Sequence, residues 1–468
     1  MLGLQEKPKV GLLITALLED DWNQTGYIRP AAQAAVQNYV NALLPIAEVV
    51  CPGLVENEEQ GIQADLLFRK GNVDVVVFAE LAYTQSIIAK KVLERIDVPI
   101  VVWNTQQLRA WPQDANWDIV MLNSGLAGLP ETTHALKRAG RFFTIVTGHM
   151  QDESRLRKLE MNIRLAAIAQ RLKKVKMGII GHPYQYMADL MVDPFSLREV
   201  IGPTIYHIEP EALAKSVDEV PQVNVQKLID ETRLHWRTDE LSEDIFTRSA
   251  RIALGLENLV DTLSIDALAI FDQAILFDKR CGLVPSWGNS RLLAKGIPVT
   301  AEADVNVASA MLILQGLAGD STFVENYGMD FDAGAANIAH DSMGNPNLAA
   351  SSHQIALRPS IYYEGIYGWG AALEFAYKPG PVTFLALVVV EGGRWKLIAG
   401  EGEALPVIPR PTVAPQMLFR PSSSSLEDFY DQWCLAGAGH HSALAYGHWG
   451  KELEILAKMM KLDFEIIR

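Results

Sequence analysis

Hydrophobic residues in the first third of the chain form short unbroken runs, separated by stretches in which apolar positions recur at helical spacing. Runs of this length are typical of strands buried on both faces of a parallel sheet, and the stretches between them predict helices. The alternation predicts a doubly wound α/β domain over residues 1–172, ending in a long helix at 152–172. The predicted strands are Val10–Ala16, Val75–Ala79, Ile100–Trp103, Ile119–Leu122 and Phe142–Val146, with helices at Gln85–Arg95 and Thr132–Arg138.

The same alternation continues into a second predicted α/β domain, over residues 173–318. Its predicted strands are Met177–Ile180, Thr204–Ile208, Ala267–Ile270 and Ile297–Thr300. From about residue 319 the pattern changes to longer strands separated by the turn sequences Lys378-Pro379-Gly380-Pro381 and Glu391-Gly392-Gly393. We therefore expect a C-terminal antiparallel β-barrel-like domain over residues 319–468, with strands at Ala371–Tyr377, Val382–Val390 and Arg394–Ala399.

Composition narrows the class of partner and the compartment. The 468 residues exceed what one hydrophobic core supports, and 41 basic against 56 acidic residues give a net charge of −15. Such a charge argues against a nucleic-acid partner, because the cationic surface that a phosphate backbone needs is missing. No G-x-G-x-x-G sequence follows a predicted strand, so a dinucleotide site has no support. Three widely separated cysteines and no apolar run near ~20 residues predict a cytoplasmic protein without a membrane span.

Four polar residues stand out as candidates for metal chemistry. Glu302 follows a predicted buried strand, although on its own it is better explained by a place in the first turn of the next helix. Glu325 and His340 lie 15 positions apart, and the adjacent His440 and His441 follow a run of alanine and glycine. Two carboxylates and two imidazoles suit Mn²⁺, Co²⁺, Zn²⁺ or Mg²⁺, with Mn²⁺ favoured. A structural zinc site is disfavoured because no cysteine joins the set.

The order and spacing of these segments resemble the bacterial L-arabinose isomerase family. The matching segments are G-I-P-V-T-A-E-A-D around Glu302, F-V-E-N-Y around Glu325, I-A-H at His340 and G-A-G-H-H ending at His441. The resemblance implies that Glu302, Glu325, His340 and His441 bind a divalent metal, usually manganese, with Co²⁺ or Mg²⁺ as alternatives. His440 and Asp304 become candidates for orienting these ligands from the second shell. It also implies two α/β domains before a barrel-like one, and a homo-oligomer whose sites are completed across subunits.

For the reaction, the resemblance implies interconversion of an aldose and its ketose through a cis-enediol, with a small sugar as substrate. Glu302 and Glu325 are expected both to bind the metal and to transfer the proton, in an order that the sequence leaves open. The implied sugar pairs are L-arabinose and L-ribulose, or D-galactose and D-tagatose.

The sugar-facing part of the chain departs from the family. Where L-arabinose isomerases carry a G-S-Q-H-L-Y-G-like segment, this chain has Ala16-Leu17-Leu18-Glu19-Asp20-Asp21-Trp22. Trp22, His182, Tyr184 and Gln185 are the residues expected to bind substrate, although His182 and Tyr184 are explained equally well as structural loop residues. The alternatives are an isomerase of another sugar such as L-fucose or D-arabinose, a non-catalytic sugar-binding relative, and a metallohydrolase.

Overall fold

The computed structural model describes residues 6–18, 25–277, 280–341, 343–361, 367–408 and 410–468. The chain divides into two compact units. The first comprises the described residues up to Arg171 together with Lys458–Met460, and the second comprises Leu172–Ala457 and Lys461–Arg468. The three-domain division drawn from the sequence stays a prediction. Within the described residues, no helix is long and apolar enough to cross a membrane.

The first unit contains a parallel sheet in the order β2-β1-β4-β5-β6, with β3 also paired to β1. The unbroken apolar runs form its central strands because both faces of the sheet are covered by helices. Its strands are β1 (Lys9–Thr15), β2 (Glu48–Val50), β3 (Leu54–Val55), β4 (Val75–Glu80), β5 (Ile100–Asn104) and β6 (Phe143–Thr147). Its helices are α1 (Ile28–Leu43), α2 (Glu58–Gly71), α3 (Ser86–Leu93), α4 (Trp117–Leu122), α5 (Gly125–Arg138) and α6 (Glu153–Leu172).

One predicted strand is wrong. Ile119–Leu122 forms the end of helix α4 instead. The side chain of Asn116 accepts a hydrogen bond from the Ile119 N–H, which caps the helix, and Asp118 lies in its first turn. A four-residue apolar run fits a strand and a buried helical turn equally, so the cap decides between them.

The second unit begins with another parallel sheet, in the order β10-β9-β7-β8. Its strands are β7 (Lys176–Ile180), β8 (Thr204–Ile208), β9 (Ala267–Ile270) and β10 (Val299–Thr300). The helices are α7 (Pro194–Val200), α8 (Pro210–Asp218), α9 (Gln222–His235), α10 (Glu243–Leu263), α11 (Asp272–Phe277), α12 (Ser286–Ala294) and α13 (Val305–Ala318). Helix α13 is apolar on every side and buried along almost its whole length, so it forms part of the core.

A nine-stranded mixed sheet completes the second unit, in the order β13-β14-β17-β12-β11-β18-β15-β16-β19. Most pairs are antiparallel, as predicted, but β14 with β17 and β16 with β19 are parallel. The second exception arises because helix α15 (Gly450–Met460) connects β18 to β19 as a crossover, so that β19 runs in the same direction as β18 and β16. The strands are β11 (Thr322–Asp330), β12 (Ala335–Ala339), β13 (Ala356–Ile361), β14 (Tyr367–Ala376), β15 (Gly380–Val390), β16 (Arg394–Leu405), β17 (Pro415–Pro421), β18 (His441–Tyr446) and β19 (Asp463–Ile467), with helices α14 (Leu426–Leu435) and α15 (Gly450–Met460). The α/β class is thus confirmed, whereas an entirely antiparallel C-terminal sheet is not what the chain forms.

Candidate metal centre

Three neighbouring strands of the mixed sheet bring Glu325, His340 and His441 together. Glu325 on β11 pairs directly with His441 on β18 and, on its other side, with Ala339 at the end of β12. Residues directly opposite on antiparallel strands point to the same face, roughly 5 Å apart at Cβ. His340 follows Ala339, and one ligand atom from each of Glu325, His340 and His441 lies within 4.8 Å of the other two.

Glu302 reaches the same place from the parallel sheet, just after β10. It and Ala303 have left-handed backbone conformations, with φ of 55° and 58°, which are costly for residues other than glycine. The surrounding structure fixes this turn through three backbone hydrogen bonds. The Glu302 N–H donates to Asp272 Oδ1 (3.2 Å), the Ala303 N–H donates to the Ile270 carbonyl (3.0 Å), and the Glu302 carbonyl accepts from the Tyr184 N–H (3.2 Å). Strain held in this way is characteristic of functional sites.

Each of the two adjacent histidines is held by its own aspartate. His441 Nδ1 lies 3.1 Å from Asp304 Oδ2, and His440 Nδ1 lies 2.6 Å from Asp189 Oδ2. Both rings turn Nε2 towards Glu302 Oε2, at 3.4 Å for His441 and 3.9 Å for His440. Asp304 also caps helix α13, because its Oδ1 accepts the first free N–H groups of that helix. The aspartate that orients His441 is therefore itself fixed.

His340 is a neutral imidazole. Burial, together with the neighbouring His441, lowers its pKa to about 3. Its Nδ1 lies 3.0 Å from the Asp341 carbonyl oxygen, so Nδ1 carries the proton and Nε2 keeps its lone pair. The ring of Phe323 packs against both His340 and His441, with centroid distances of 4.5 Å to each. This arrangement is suited to metal ligation, which requires neutral, oriented imidazoles.

The carboxyl groups around the site have divergent pKa values. Burial opposes ionisation of Glu302, but the neighbouring imidazoles outweigh it and hold its carboxyl pKa below the usual value. The hydrogen bond from His440 lowers the pKa of Asp189 to about 2. Burial alone would lower the pKa of His440, yet Asp189 and Glu302 raise it to about 10. Burial, reinforced by the Glu302 charge, raises the pKa of Asp272 to about 7.

The donor atoms fit a divalent metal ion. Glu302 Oε2 is buried and has no hydrogen-bond partner among the residues that the structure describes. Its 3.4 Å separation from His441 Nε2 matches the roughly 3–3.5 Å expected between two ligands of one ion at ~2.1 Å each. Glu302, His440 and His441 form a second group with ligand atoms within 4.8 Å, which shares His441 with the first.

A cavity of about 330 Å³ adjoins this centre and is largely aromatic. Gln273 connects the two, because its Nε2 donates to Glu302 Oε1 at 3.4 Å. The ring of His182 packs on Phe271 with a centroid distance of 4.7 Å, and Tyr184 meets Phe271 edge-on at 5.7 Å. The lining residues are His182, Tyr184, Gln185, Tyr186, Phe271, Gln273, Ala274 and Phe277. The structure thus brings together His182, Tyr184 and Gln185, whereas Trp22 lies outside the described residues.

Sequence reasoning missed three residues of the site. Asp272 and Gln273 come two and three positions after β9. The rule that pointed to Glu302, a polar residue at the carboxyl end of a buried strand, could therefore have found them. Asp189 carries no such signal, because its partner His440 lies 251 positions away in the chain.

Comparison with known proteins finds similarity to one enzyme family. Residues 320–463 match the model of the L-arabinose isomerase C-terminal domain, a segment that contains Glu325, His340 and His441. The chain is similar to the L-arabinose isomerases. It is 25% identical over 405 residues to the L-arabinose isomerase of Aeromonas salmonicida, covering 80% of this chain and 77% of that one. The L-arabinose isomerase of Yersinia enterocolitica is 23% identical over 454 residues, covering 91% and 87%. The resemblance to a family of sugar isomerases is confirmed.

Proposed function

We propose that the chain is a metal-dependent aldose–ketose isomerase of the L-arabinose/L-ribulose or D-galactose/D-tagatose type. The observation that carries the proposal is that two groups of possible ligands, one with Glu302 and one with Glu325 and His340, share His441. The buried Glu302 Oε2 faces imidazole nitrogen and has no hydrogen-bond partner among the described residues. The names of the relatives support the reaction class. These four residues would hold the ion; Asp304 would orient His441, and His440 would lie beside Glu302 without binding the ion.

The reaction moves one proton between C2 and C1 of the sugar and a second between O2 and O1. A bound Mn²⁺ ion, or Co²⁺ or Mg²⁺ in its place, would supply Lewis-acid stabilisation of the negative charge that develops on the sugar oxygens. Glu302 and Glu325 would move the proton, a contribution of roughly 10²–10⁴-fold, and either can act first. Glu302 is suited to be a base because its lowered pKa keeps it ionised. His340 and His441 would complete the ligand set, and His340 would not compete for the proton because its low pKa keeps it neutral.

The aromatic cavity would bind the rest of the sugar. Aromatic rings such as Tyr184 and Phe271 offer faces for the C–H groups of a sugar, and Gln185 and Gln273 offer amides for its hydroxyls. Trp22 is retained as a substrate-binding candidate on the basis of the sequence alone.

We further propose a homo-oligomer in which the N-terminal region of one subunit completes the site of another. The family resemblance supports this arrangement. A fully active monomer in sizing experiments would contradict it. A barrel-like closure of the mixed sheet is proposed as well, and it is supported by the pairing of β17 with both β12 and β16.

The function is tested with a panel of aldoses in the presence of Mn²⁺. We expect wild type to isomerise at least one sugar and to exchange its C2 proton in deuterated water, and Glu302→Ala and His441→Ala to lose both activities. Glu199→Gln, on the exposed face of α7, is the matched control and should behave as wild type. A wild-type protein with no bound divalent metal and no exchange on any sugar would end this proposal.

The same panel separates the alternatives. Turnover of L-fucose or D-arabinose in preference to L-arabinose would retain the mechanism and change the sugar. Sugar binding with metal bound but no proton exchange would identify a binding protein. The donor set argues against this last case, because a protein that only binds sugar has no need to stabilise an enediolate.

A further inference from the structure

Asp189 connects the loop that lines the cavity to the paired histidines. Its Oδ2 accepts hydrogen bonds from both the backbone N–H (3.1 Å) and Nδ1 (2.6 Å) of His440. A Cβ on Gly439 would lie 3.0 Å from the same oxygen, so the glycine permits this close approach. The Asp189 carbonyl oxygen accepts from Asn306 Nδ2 at 3.3 Å, in the first turn of α13. Asp189 is therefore fixed on both its backbone and its side chain.

The two aspartate–histidine pairs differ in what their imidazoles face. The His441 side chain is 2% exposed and packs against Phe323, on the inner side of the Glu302 carboxylate. The His440 side chain is 32% exposed, although its Nε2 atom is buried and has no hydrogen-bond partner within the described part of the chain. His440 is thus the more accessible of the two rings, and Asp189, which holds it, lies four positions after Gln185 in the chain.

We propose that Asp189 is a positioning residue for the isomerisation, fixing His440 so that its Nε2 meets an oxygen of the sugar bound beside Glu302. The inference rests on the proposed function. A sugar hydroxyl suits this place because it can donate to Glu302 Oε2 and still hydrogen-bond to His440 Nε2. In this arrangement Asp304 orients His441 for metal binding, whereas Asp189 orients His440 for contact with the substrate.

Two matched substitutions separate these roles. Asp189→Asn should lower kcat/KM about 10–100-fold, mainly in kcat, while Mn²⁺ affinity stays within about threefold of wild type. Asp304→Asn should instead lower Mn²⁺ affinity about 10–100-fold. Mn²⁺ titration and kinetics at saturating metal measure both, with Glu199→Gln as the control and thermal melting to verify folding. A loss of Mn²⁺ affinity in Asp189→Asn as large as in Asp304→Asn would overturn the proposal, since His440 would then be a metal ligand.

A double-mutant cycle tests the pathway through His440. His440→Gln should lose as much kcat/KM as Asp189→Asn, and the double variant should lose no more than either. Independent, additive losses contradict the proposal. His440→Gln with wild-type kinetics also overturns it, and this variant decides the matter if Asp189→Asn fails to fold. An active wild type with unaffected Asp189→Asn contradicts this inference alone, whereas a wild type inactive on every sugar contradicts the proposed function as well.

Discussion

The two parallel sheets each place a buried glutamate at the carboxyl end of a strand, and the two glutamates behave in opposite ways. Glu80 is the last residue of β4 in the first unit, and Glu302 follows β10 in the second. Both are 4% exposed. Burial raises the pKa of Glu80 to about 8, whereas that of Glu302 lies below its usual value.

The difference comes from what faces each carboxyl group. Glu80 Oε1 accepts the Thr84 N–H at 2.9 Å, a Cβ on Gly128 would overlap that oxygen, and Oε2 has no hydrogen-bond partner in the described chain. No cationic group accounts for its pKa, so desolvation dominates and favours the neutral acid. Glu302 faces His440 and His441, which favour the carboxylate. Burial at the end of a strand therefore does not by itself define a functional site, because the imidazoles that converge on Glu302 make the difference.

The largest expected effect is the contrast between Glu302→Gln and Glu80→Gln in catalysis. Glutamine keeps the shape of both side chains, but at position 302 it removes the charge that the proposed function assigns to metal binding and proton transfer. We expect kcat to fall about 10²–10⁴-fold in Glu302→Gln. Glu80→Gln should keep kcat/KM within about threefold of wild type, because Glu80 is already uncharged at neutral pH. Steady-state kinetics on the best sugar of the panel gives both values, and equal losses would break the comparison.

The next effect is on stability as pH changes. Folded Glu80 stays protonated up to about pH 8, whereas an unfolded glutamate ionises near pH 4.3. Between these values the folded state binds one more proton, so the free energy of unfolding falls by up to about 1.4 kcal/mol per pH unit as pH rises. The total stabilisation, of order 3–5 kcal/mol, is present below about pH 4 and lost by about pH 8.

Urea unfolding of the full chain at pH 5.5 and pH 8, in wild type and Glu80→Gln, measures how the free energy of unfolding changes with pH. Glutamine cannot titrate, so its variant should lose stability less steeply as pH rises. Identical slopes in the two proteins would show that Glu80 is ionised in both states, which contradicts the contrast with Glu302.

Sequence patterns predicted four strands of the first parallel sheet and all four of the second, because an unbroken apolar run can be buried only where both faces are covered. Val75–Ala79 and Ala267–Ile270 are examples. The short strands β2 and β3 were missed. Patterns failed for Ile119–Leu122, where a single asparagine cap decided the structure. They also could not distinguish Glu80 from Glu302, since the difference depends on His440 and His441, more than 130 positions after Glu302. The spacing of motifs shared with a family pointed to the two histidines near Glu302. The contact of Asp189 with His440 could be found only from the structure.

Metal binding should have a smaller effect, which is to slow amide hydrogen exchange in the second unit only. Mn²⁺ at about 100 times its Kd stabilises the folded site by ~2.7 kcal/mol, so amide hydrogen exchange limited by opening of the site slows about 100-fold. Strands β11 and β18 contain Glu325 and His441, and their backbone amides should show this protection. The amides of β4, around Glu80, should not change. Removal of the metal with a chelator should reverse the effect, and equal protection of β4 would indicate that the two units open together.

The smallest effect concerns two tyrosines that follow parallel strands, Tyr184 after β7 and Tyr83 after β4. Tyr184 lines the cavity beside Glu302. Replacing it by phenylalanine removes one hydroxyl and keeps the ring, so a lost hydrogen bond of about 0.5–1.5 kcal/mol should raise KM roughly 2–10-fold with kcat unchanged. Tyr206→Phe, on β8, is the control and should match wild type. Tyr83→Phe tests one residue of the other unit. A raised KM would support a site completed by the N-terminal region, and an unchanged KM would show that the Tyr83 hydroxyl does not bind the sugar.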